Sequence, residues 1–448
     1  MSISAVRGTL IFCRDDPFLT DPEKAIVHEP DGLVICCDGL IEAVGSYAAL
    51  KAQLPADADI TDHSSCLIAP GFIDTHIHYV QTGIIGAQGH QLLAWLNDYT
   101  FVAEQAFADE AVARDTANLF CDELVRNGTT TALVFCSVHP GSVDALFEAA
   151  AARNLRLIAG KVLMDRNAPE KLLDTPKTGY DDSKALIKKW HNRGRLMYAI
   201  TPRFAPTSTP EQLEAAGALC KEHPECYMQT HVSENKGEVA WVKELFPDRK
   251  GYLDVYDHYS LCRPRAVFGH GIHLTDDEMQ VMHRTGSAIA HCPTSNFFLG
   301  SGFFNIQRAM QKDRPVRVGL GTDLGAGTSF SILATLNEAY KAAQLNSYAL
   351  SACHAYYVAT RGTAHAMYLE DKIGSISPGM EADIVVLDMK STPIISYRME
   401  FAKDFDEALF IQMTLGDDRA VQATYVAGVQ RYDKWVDGRA GAAEAESA

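Results

Sequence analysis

Eight short apolar, β-rich runs recur along the middle of this 448-residue chain, and amphipathic helical stretches separate them. Such alternation is typical of parallel strands joined by crossover helices. The runs occupy residues 72–79, 129–137, 155–164, 196–201, 227–231, 266–270, 287–291 and 316–322. They predict an α/β fold of the TIM type, a (β/α)₈ barrel with its functional groups at the carboxyl ends of the strands. An open doubly wound sheet is the alternative, but it more often carries a glycine-rich phosphate turn after its first strand, and residues 71–78 contain none.

The two ends of the chain differ from its middle. Residues 1–69 contain short β-like runs with an Asp38-Gly39 hairpin signal, and similar runs resume at about residue 372. We therefore expect a small β domain formed by residues 1–69 and 372–439, with the barrel of residues 70–371 inserted between its halves. Residues 440–448 are small, polar and acidic, and we expect them to form a disordered tail.

Composition restricts the partners of the chain. The formal net charge is -17, which argues against nucleic acid because a polyanion requires basic patches. No uninterrupted apolar run reaches the length of about 18 residues that a membrane span needs, and residues 1–16 lack the pattern of a secretory signal. The eleven cysteines contain no Cys-x-x-Cys pair, so reduced thiols are the simpler interpretation. We expect a cytoplasmic protein with a small, not strongly anionic substrate and no membrane or nucleic-acid partner.

Candidate metal ligands follow four of the predicted strands. His76 and His78 occupy alternate positions at the end of the first strand, so their side chains point the same way. His231, His270 and Asp323 end the fifth, sixth and eighth strands. Imidazole nitrogens and a carboxylate around an open position are typical of a catalytic divalent ion, most simply zinc, with iron as the alternative. Because such an ion lowers the pKa of bound water to about 7, hydrolysis is the expected reaction class.

Further side chains near these ligands are candidates for proton transfer. Glu234 lies three residues beyond the histidine of the fifth strand, and we assign it general acid/base work on a substrate ring nitrogen. Asp323 would also accept a proton from the water, and His270 would contact the developing oxyanion or act as a fourth nitrogen ligand. Taken singly, Glu234 could be a helix-start charge and His270 a hydrogen-bonded core residue. We interpret His139 and His291, also near strand ends, as supporting or structural residues.

Longer strings around these residues resemble the amidohydrolase superfamily, and within it the guanine deaminases. The superfamily signature is Pro-Gly-Phe-Ile-Asp-Thr-His-x-His at residues 70–78, followed by the later His, His and Asp. The closer similarity rests on residues 76–81, 92–101 with Glu104, 160–165, 201–204, 229–235 and 319–323. It extends over nearly the whole chain, most clearly over residues 66–345.

The resemblance implies one zinc per chain, held by His76, His78, His231 and Asp323, with Glu234 and His270 assisting. Dinuclear members of the superfamily carry a carbamylated lysine at the end of strand four, where this chain has Arg203-Phe204, so we predict a single ion.

The resemblance also implies how a purine is held. Gln81 and Arg203 match positions that bind its polar edge, and Phe204 matches one that packs on the ring. Trp95 belongs to the string that favours guanine. From the sequence alone, Phe204 could equally be a residue of the hydrophobic core, and Arg203 could belong to a structural ion pair.

The expected function is therefore zinc-dependent hydrolytic deamination of guanine to xanthine and ammonia, in purine salvage or catabolism, by a homodimer. One alternative is deamination of another aminated heterocycle on the same scaffold: a pterin, 8-oxoguanine, an adenosine derivative or a triazine. A non-catalytic barrel scaffold protein is a second alternative, although such relatives usually lose metal ligands and this chain has them all.

Overall fold

The structure is a computed structural model, and it describes residues 3–55, 58–89 and 91–436. The tail expected at residues 440–448 lies outside the described residues, as do residues 437–439 of the expected C-terminal β segment. Within the described residues, strands β1 to β16 are, in order, Ile3–Cys13, Ile26–Cys37, Leu40–Ser46, Asp59–Pro70, Phe72–His78, Thr129–Phe135, Arg156–Gly160, Val162–Leu163, Met197–Pro202, Tyr227–Val232, Ala266–His270, Ala288–His291, Arg317–Leu320, Ile384–Leu387, Val421–Val426 and Val429–Asp433.

Helices α1 to α18 are Pro22–Ala25, Tyr47–Leu50, Leu92–Trp95, Phe101–Gln105, Glu110–Arg126, Pro140–Arg153, Pro176–Trp190, Pro210–Glu222, Lys236–Leu245, Tyr252–His258, Asp276–Thr285, Pro293–Phe298, Ile306–Ala309, Ile332–Leu345, Ala352–Ala359, Arg361–Ala366, Pro393–Met399 and Phe405–Leu415. A π-helical turn, Leu96–Thr100, joins α3 to α4, and 3-10 turns cover Lys51–Gln53, Tyr79–Ile84, Ala106–Ala108, Glu170–Leu172, Ala205–Thr207 and Asp418–Ala420. No helix among these is long and apolar enough to cross a membrane.

The middle of the chain forms the predicted parallel barrel. Its strands are hydrogen-bonded in the order β5-β6-β7-β9-β10-β11-β12-β13, and the short β8 pairs with β9. β6 is buried along its whole length, as expected for a strand covered on both faces. Proline occupies the first turn of α6, α7 and α8, where its missing N–H costs nothing. The fold class predicted from the sequence is confirmed.

One predicted strand is wrong in detail. The run at residues 155–164 is divided into β7 and β8 at Lys161. The Lys161 ammonium is buried and donates to Asp174 Oδ2 over 2.6 Å. A buried ammonium requires a carboxylate partner, and this pair lies where the run is interrupted. Of the other seven runs, residues 266–270 coincide with β11, and six differ from the observed strands by one or two residues at an end, where periodicity is least informative.

Side chains join the two ends of the barrel sheet. No backbone ladder links β5 to β13 in the part of the chain that the structure describes. Asp74 Oδ2 instead accepts from Thr322 Oγ1 over 2.5 Å, and Asp74 Oδ1 accepts from Thr322 N over 3.2 Å. Thr75 Oγ1 donates to Leu320 O, and Asp323 N donates to His76 O over 2.8 Å. These bonds hold the first and last strands together beside the predicted ligands.

Both ends of the chain contribute to a second sheet, in the order β16-β15-β14-β4-β1-β2-β3. β1 and β4 are parallel, and the other pairs are antiparallel. β4 continues into β5 through Gly71, and Arg195 Nη2 at the base of the barrel donates to Glu381 Oε2 over 2.7 Å. The mixed sheet from both termini agrees with the expected β domain, whose boundaries at residues 70 and 371 stay a prediction.

We predict that Thr322→Val lowers the free energy of unfolding of the metal-free protein by about 1–3 kcal/mol, because buried Asp74 loses a hydrogen-bond donor. Denaturant titration would measure the change. Thr131→Val is the matched control, since the Thr131 hydroxyl is buried in the same barrel with no hydrogen-bond partner. The control should change stability by less than about 0.5 kcal/mol or increase it. Equal effects of the two substitutions would contradict the assigned closure.

Candidate active site

The predicted ligands converge at the carboxyl ends of the barrel strands. His78 Nε2 lies 3.3 Å from His76 Nε2 and 3.3 Å from His231 Nε2. Asp323 Oδ1 lies 3.4 Å from His76 Nε2 and 3.3 Å from His78 Nε2. His76 and His78 are buried, and burial lowers the pKa of His78 to about 3. The His78 imidazole is therefore neutral at neutral pH, as metal coordination requires.

The spacing of the four atoms suits one small divalent ion. Four donors at corners of a tetrahedron, each about 2.0–2.1 Å from its centre, lie about 3.3–3.4 Å from one another. The four separations given above, 3.3, 3.3, 3.4 and 3.3 Å, match this edge length. The Nδ1 atom of His231 is paired with Arg203 O over 2.7 Å, which leaves Nε2 with its lone pair toward the cluster. The residues present therefore fit a single metal ion.

Local backbone features place these side chains. His270, the last residue of β11, and Asp323, three residues beyond β13, have left-handed φ angles of +69° and +50°. Such conformations cost energy in residues other than glycine and concentrate at functional sites. Gly269 and Gly321 flank His76, and a Cβ on either would lie 2.7 Å or 2.8 Å from its side chain. Only glycine at these two positions leaves room for the His76 ring.

Glu234 lies beside the metal-ligand cluster. Its Oε2 is 3.4 Å from His270 Nε2, and its Oε1 accepts from Ser301 Oγ over 3.2 Å. Its backbone N–H donates to Glu238 Oε2 over 2.8 Å, which fixes the segment that starts α9. Burial raises the pKa of Glu234 to about 8, and the nearby charge of Asp323 adds to the shift. The carboxyl group is therefore able to hold a proton at neutral pH.

His270 lies between the two carboxyl groups. Its Nε2 is 3.7 Å from Asp323 Oδ2 and has no hydrogen-bond partner within the described ranges. Its Nδ1 is paired with Asn296 Oδ1 over 2.9 Å. With Nδ1 as the donor in that pair, neutral His270 presents a lone pair at Nε2, which suits either a fourth ligand or contact with a water molecule.

A pocket opens beside the cluster. It is lined by His78, Gln81, Leu92, Trp95, Leu96, Arg203, Phe204, His231, Glu234, His270, Leu299, Asp323 and Ala326. His76 lies behind this wall and completes the donor set. All ten side chains selected from the sequence are thus brought together, and the role of each stays a prediction. Six of the thirteen lining side chains are apolar and seven are polar, a combination that suits a small molecule with both apolar faces and polar edges.

The sequence assigns no role to several contacting residues: Glu104 appears only within a string that carries the family similarity, and Ser301 and Asn296 carry no signal of their own. Glu104 bridges Gln81 and Arg203, Ser301 contacts Glu234, and Asn296 contacts His270. Leu92 and Leu96 also line the pocket. Both lie in the string at residues 92–101, but from that string the sequence predicts only Trp95 as a substrate contact. Ala87 supports Trp95, because the Trp95 indole N–H donates to Ala87 O over 3.3 Å.

Comparison with known proteins agrees with the site. The model of the amidohydrolase family matches residues 67–431. A guanine deaminase of Escherichia coli (strain K12) is 50% identical over 436 residues, which cover 97% of this chain and 98% of that protein. A solved structure of E. coli guanine deaminase superposes with a TM-score of 0.93 at 49% identity, covering 97% of this chain and 99% of that chain. A guanine deaminase structure from C. acetobutylicum with guanine bound in its active site has a TM-score of 0.86 at 29% identity, covering 96% and 100%.

We predict that the metal-free protein takes up one equivalent of zinc and that His78→Ala weakens this binding at least about tenfold, because one of four donors is lost. Titration against a competing chelator would measure the affinity. His291→Ala is the matched control, since His291 is equally buried at the end of β12 but packs against Phe304 outside the donor set. Loss of zinc in the control, or its retention in His78→Ala, would contradict the assigned cluster.

Proposed function

This chain belongs to the amidohydrolase family, and we propose from this premise that it is a zinc-dependent hydrolase that converts guanine and water to xanthine and ammonia. The observation that carries the proposal is the placement of the donor cluster and Glu234 in one pocket with the polar wall formed by Gln81 and Arg203. The 50% identity to a guanine deaminase over 97% of the chain supports guanine as the substrate.

The metal would be held by His76, His78, His231 and Asp323. When bound, the ion lowers the pKa of a water molecule to about 7 and so supplies a nucleophile at neutral pH. Zinc is the proposed ion, with iron as the alternative, because three imidazole nitrogens and one carboxylate oxygen suit both.

The protein side chains would manage two protons. Glu234 would protonate the ring nitrogen next to the carbon that bears the amine, and a pKa of about 8 keeps it protonated at neutral pH. Asp323 would take a proton from the water through its second oxygen and pass it toward departing ammonia. His270 lies 3.4 Å from Glu234 and 3.7 Å from Asp323, where it would contact the oxygen that forms on the ring.

The pocket wall suits a neutral bicyclic base. Phe204 and Trp95 are buried and present apolar surface to the faces of the ring. Arg203 offers hydrogen-bond donors to carbonyl and ring-nitrogen acceptors, while Gln81 offers a carboxamide. These contacts would hold the amine-bearing carbon toward the cluster.

We also propose that the chain functions as a cytoplasmic homodimer. The eleven cysteines are all free thiols, which agrees with a reducing compartment. The dimer is an implication of the family resemblance, and sedimentation velocity would test it: a monomer at micromolar concentration would contradict it.

The direct test follows guanine by ultraviolet absorbance while ammonia is measured in parallel. Zinc-loaded protein should release one ammonia for each xanthine formed, chelation should abolish turnover, and added zinc should restore it. Zinc-loaded protein that releases no ammonia from guanine would overturn the proposed substrate, and turnover in metal-free protein would overturn the metal requirement.

We predict that Glu234→Gln lowers kcat by about 10²- to 10⁴-fold while zinc stoichiometry stays at one, because an amide cannot donate the required proton. Steady-state kinetics and metal analysis would measure the two quantities. Glu244→Gln is the matched control, since Glu244 is exposed on α9, the helix that follows Glu234. Near-normal kcat in Glu234→Gln would contradict the role of this residue.

A further inference from the structure

Glu104 joins the two polar side chains of the pocket wall without lining the pocket itself. It lies on α4 and is fully buried. Its Oε1 accepts from Gln81 Nε2 over 3.2 Å, and its Oε2 accepts from Arg203 Nη1 over 2.6 Å. One carboxylate thus connects residues from the turn after β5 and from the end of β9.

This contact fixes which end of the Gln81 carboxamide faces the substrate. A carboxylate can only accept hydrogen bonds, so the Gln81 amide nitrogen must face Glu104. The carbonyl oxygen of Gln81 is then held away from Glu104 as an acceptor, and none of the described residues donates to it. Gly325 leaves room for this oxygen, because a Cβ at that position would lie 2.1 Å from it.

The same helix fixes Arg203. The guanidinium carbon lies 5.4 Å from the centre of the Phe101 ring, one turn before Glu104 on α4. Nη1 is engaged by Glu104, and the remaining N–H groups of Arg203 make no hydrogen bond within the described ranges. Arg203 therefore presents donors to the pocket at a set position, next to the acceptor of Gln81.

The ion pair also sets the charge of this wall. Arg203 and Glu104 are both buried, so the carboxylate compensates a cation that water cannot solvate. The group formed by Gln81, Arg203 and Glu104 is consequently neutral overall, and it suits a neutral base better than an anion.

We propose that Glu104 is a specificity-determining positioning residue, which holds Arg203 as a donor and Gln81 as an acceptor. That donor–acceptor pair is complementary to a lactam edge, in which a carbonyl oxygen lies beside a ring N–H. This inference rests on the proposed function, because guanine carries such an edge. 2-Aminopurine carries the same amino-bearing ring without the carbonyl oxygen or its neighbouring N–H.

Glu104→Gln should reverse which end of the Gln81 carboxamide, oxygen or nitrogen, faces the pocket. The new carboxamide would turn its oxygen to Arg203 and its nitrogen to Gln81, so Gln81 would rotate and present its own nitrogen to the substrate. We expect kcat/KM for guanine to fall about 100-fold, mainly through KM, and kcat/KM for 2-aminopurine to fall less than about tenfold. Ammonia release from both substrates measures the ratio, with Glu110→Gln, an exposed position at the start of α5, as the matched control.

The double substitution Glu104→Gln with Gln81→Glu tests the polarity directly. In this variant the carboxamide at position 104 accepts from Arg203 through its oxygen and donates to position 81 through its nitrogen. The carboxylate at position 81 accepts that bond with one oxygen and presents the other to the pocket. We expect it to recover at least about tenfold of the lost preference for guanine over 2-aminopurine. If Glu104→Gln does not fold, Glu104→Asp replaces it: the shorter carboxylate keeps the charge but cannot hold both partners, and the preference should still fall.

The outcomes separate the two proposals. Wild-type protein that fails to deaminate guanine overturns the proposed function before any variant is compared. Wild-type activity with an unchanged guanine preference in the folded Glu104 variant overturns only the role of Glu104. Equal losses on the two substrates would also overturn it, since they indicate a merely structural residue.

Discussion

The junction between the first and last barrel strands determines the rest of the site. Asp74 accepts two hydrogen bonds from Thr322, and His76 O accepts one from Asp323 N. These bonds bring two histidines of β5 within 3.4 Å of a carboxylate about 250 residues later in the chain. The junction is therefore both a structural closure and the means by which three of the four metal donors meet.

Buried carboxyl groups around this junction each have a defined partner. Thr322 contacts Asp74, Ser301 contacts Glu234, and Arg203 contacts Glu104. Glu238 accepts from two backbone N–H groups and from Tyr252 Oη, and burial raises its pKa to about 7. Burying a charge without such partners would cost several kcal/mol, so the network is a substantial part of what the fold must satisfy. Pairing therefore holds each carboxyl group in a set orientation.

The sequence predicts the barrel and the donor cluster because both follow from local patterns. Apolar runs define the strands, and the position of a His or Asp after each run defines which residues meet at the carboxyl end. The division of one run at Lys161 depends on Asp174, and no local pattern shows that pair. Glu104 is similar: it is one of many glutamates in the chain, and its distance of 99 positions from Arg203 conceals the contact. Side-chain pairing across distant segments, rather than periodicity, is the information that sequence patterns lack.

A crystal structure of the zinc-loaded Glu234→Gln variant with guanine would test the central claim most directly. The account predicts one ion about 2.0–2.2 Å from the Nε2 atoms of His76, His78 and His231 and from Asp323 Oδ1. It predicts guanine in the same pocket, with its carbonyl oxygen at Arg203, its ring on Phe204 and its amine-bearing carbon toward the ion and position 234. Two ions, an ion held by other residues, or guanine bound with its amine away from the ion would contradict the account.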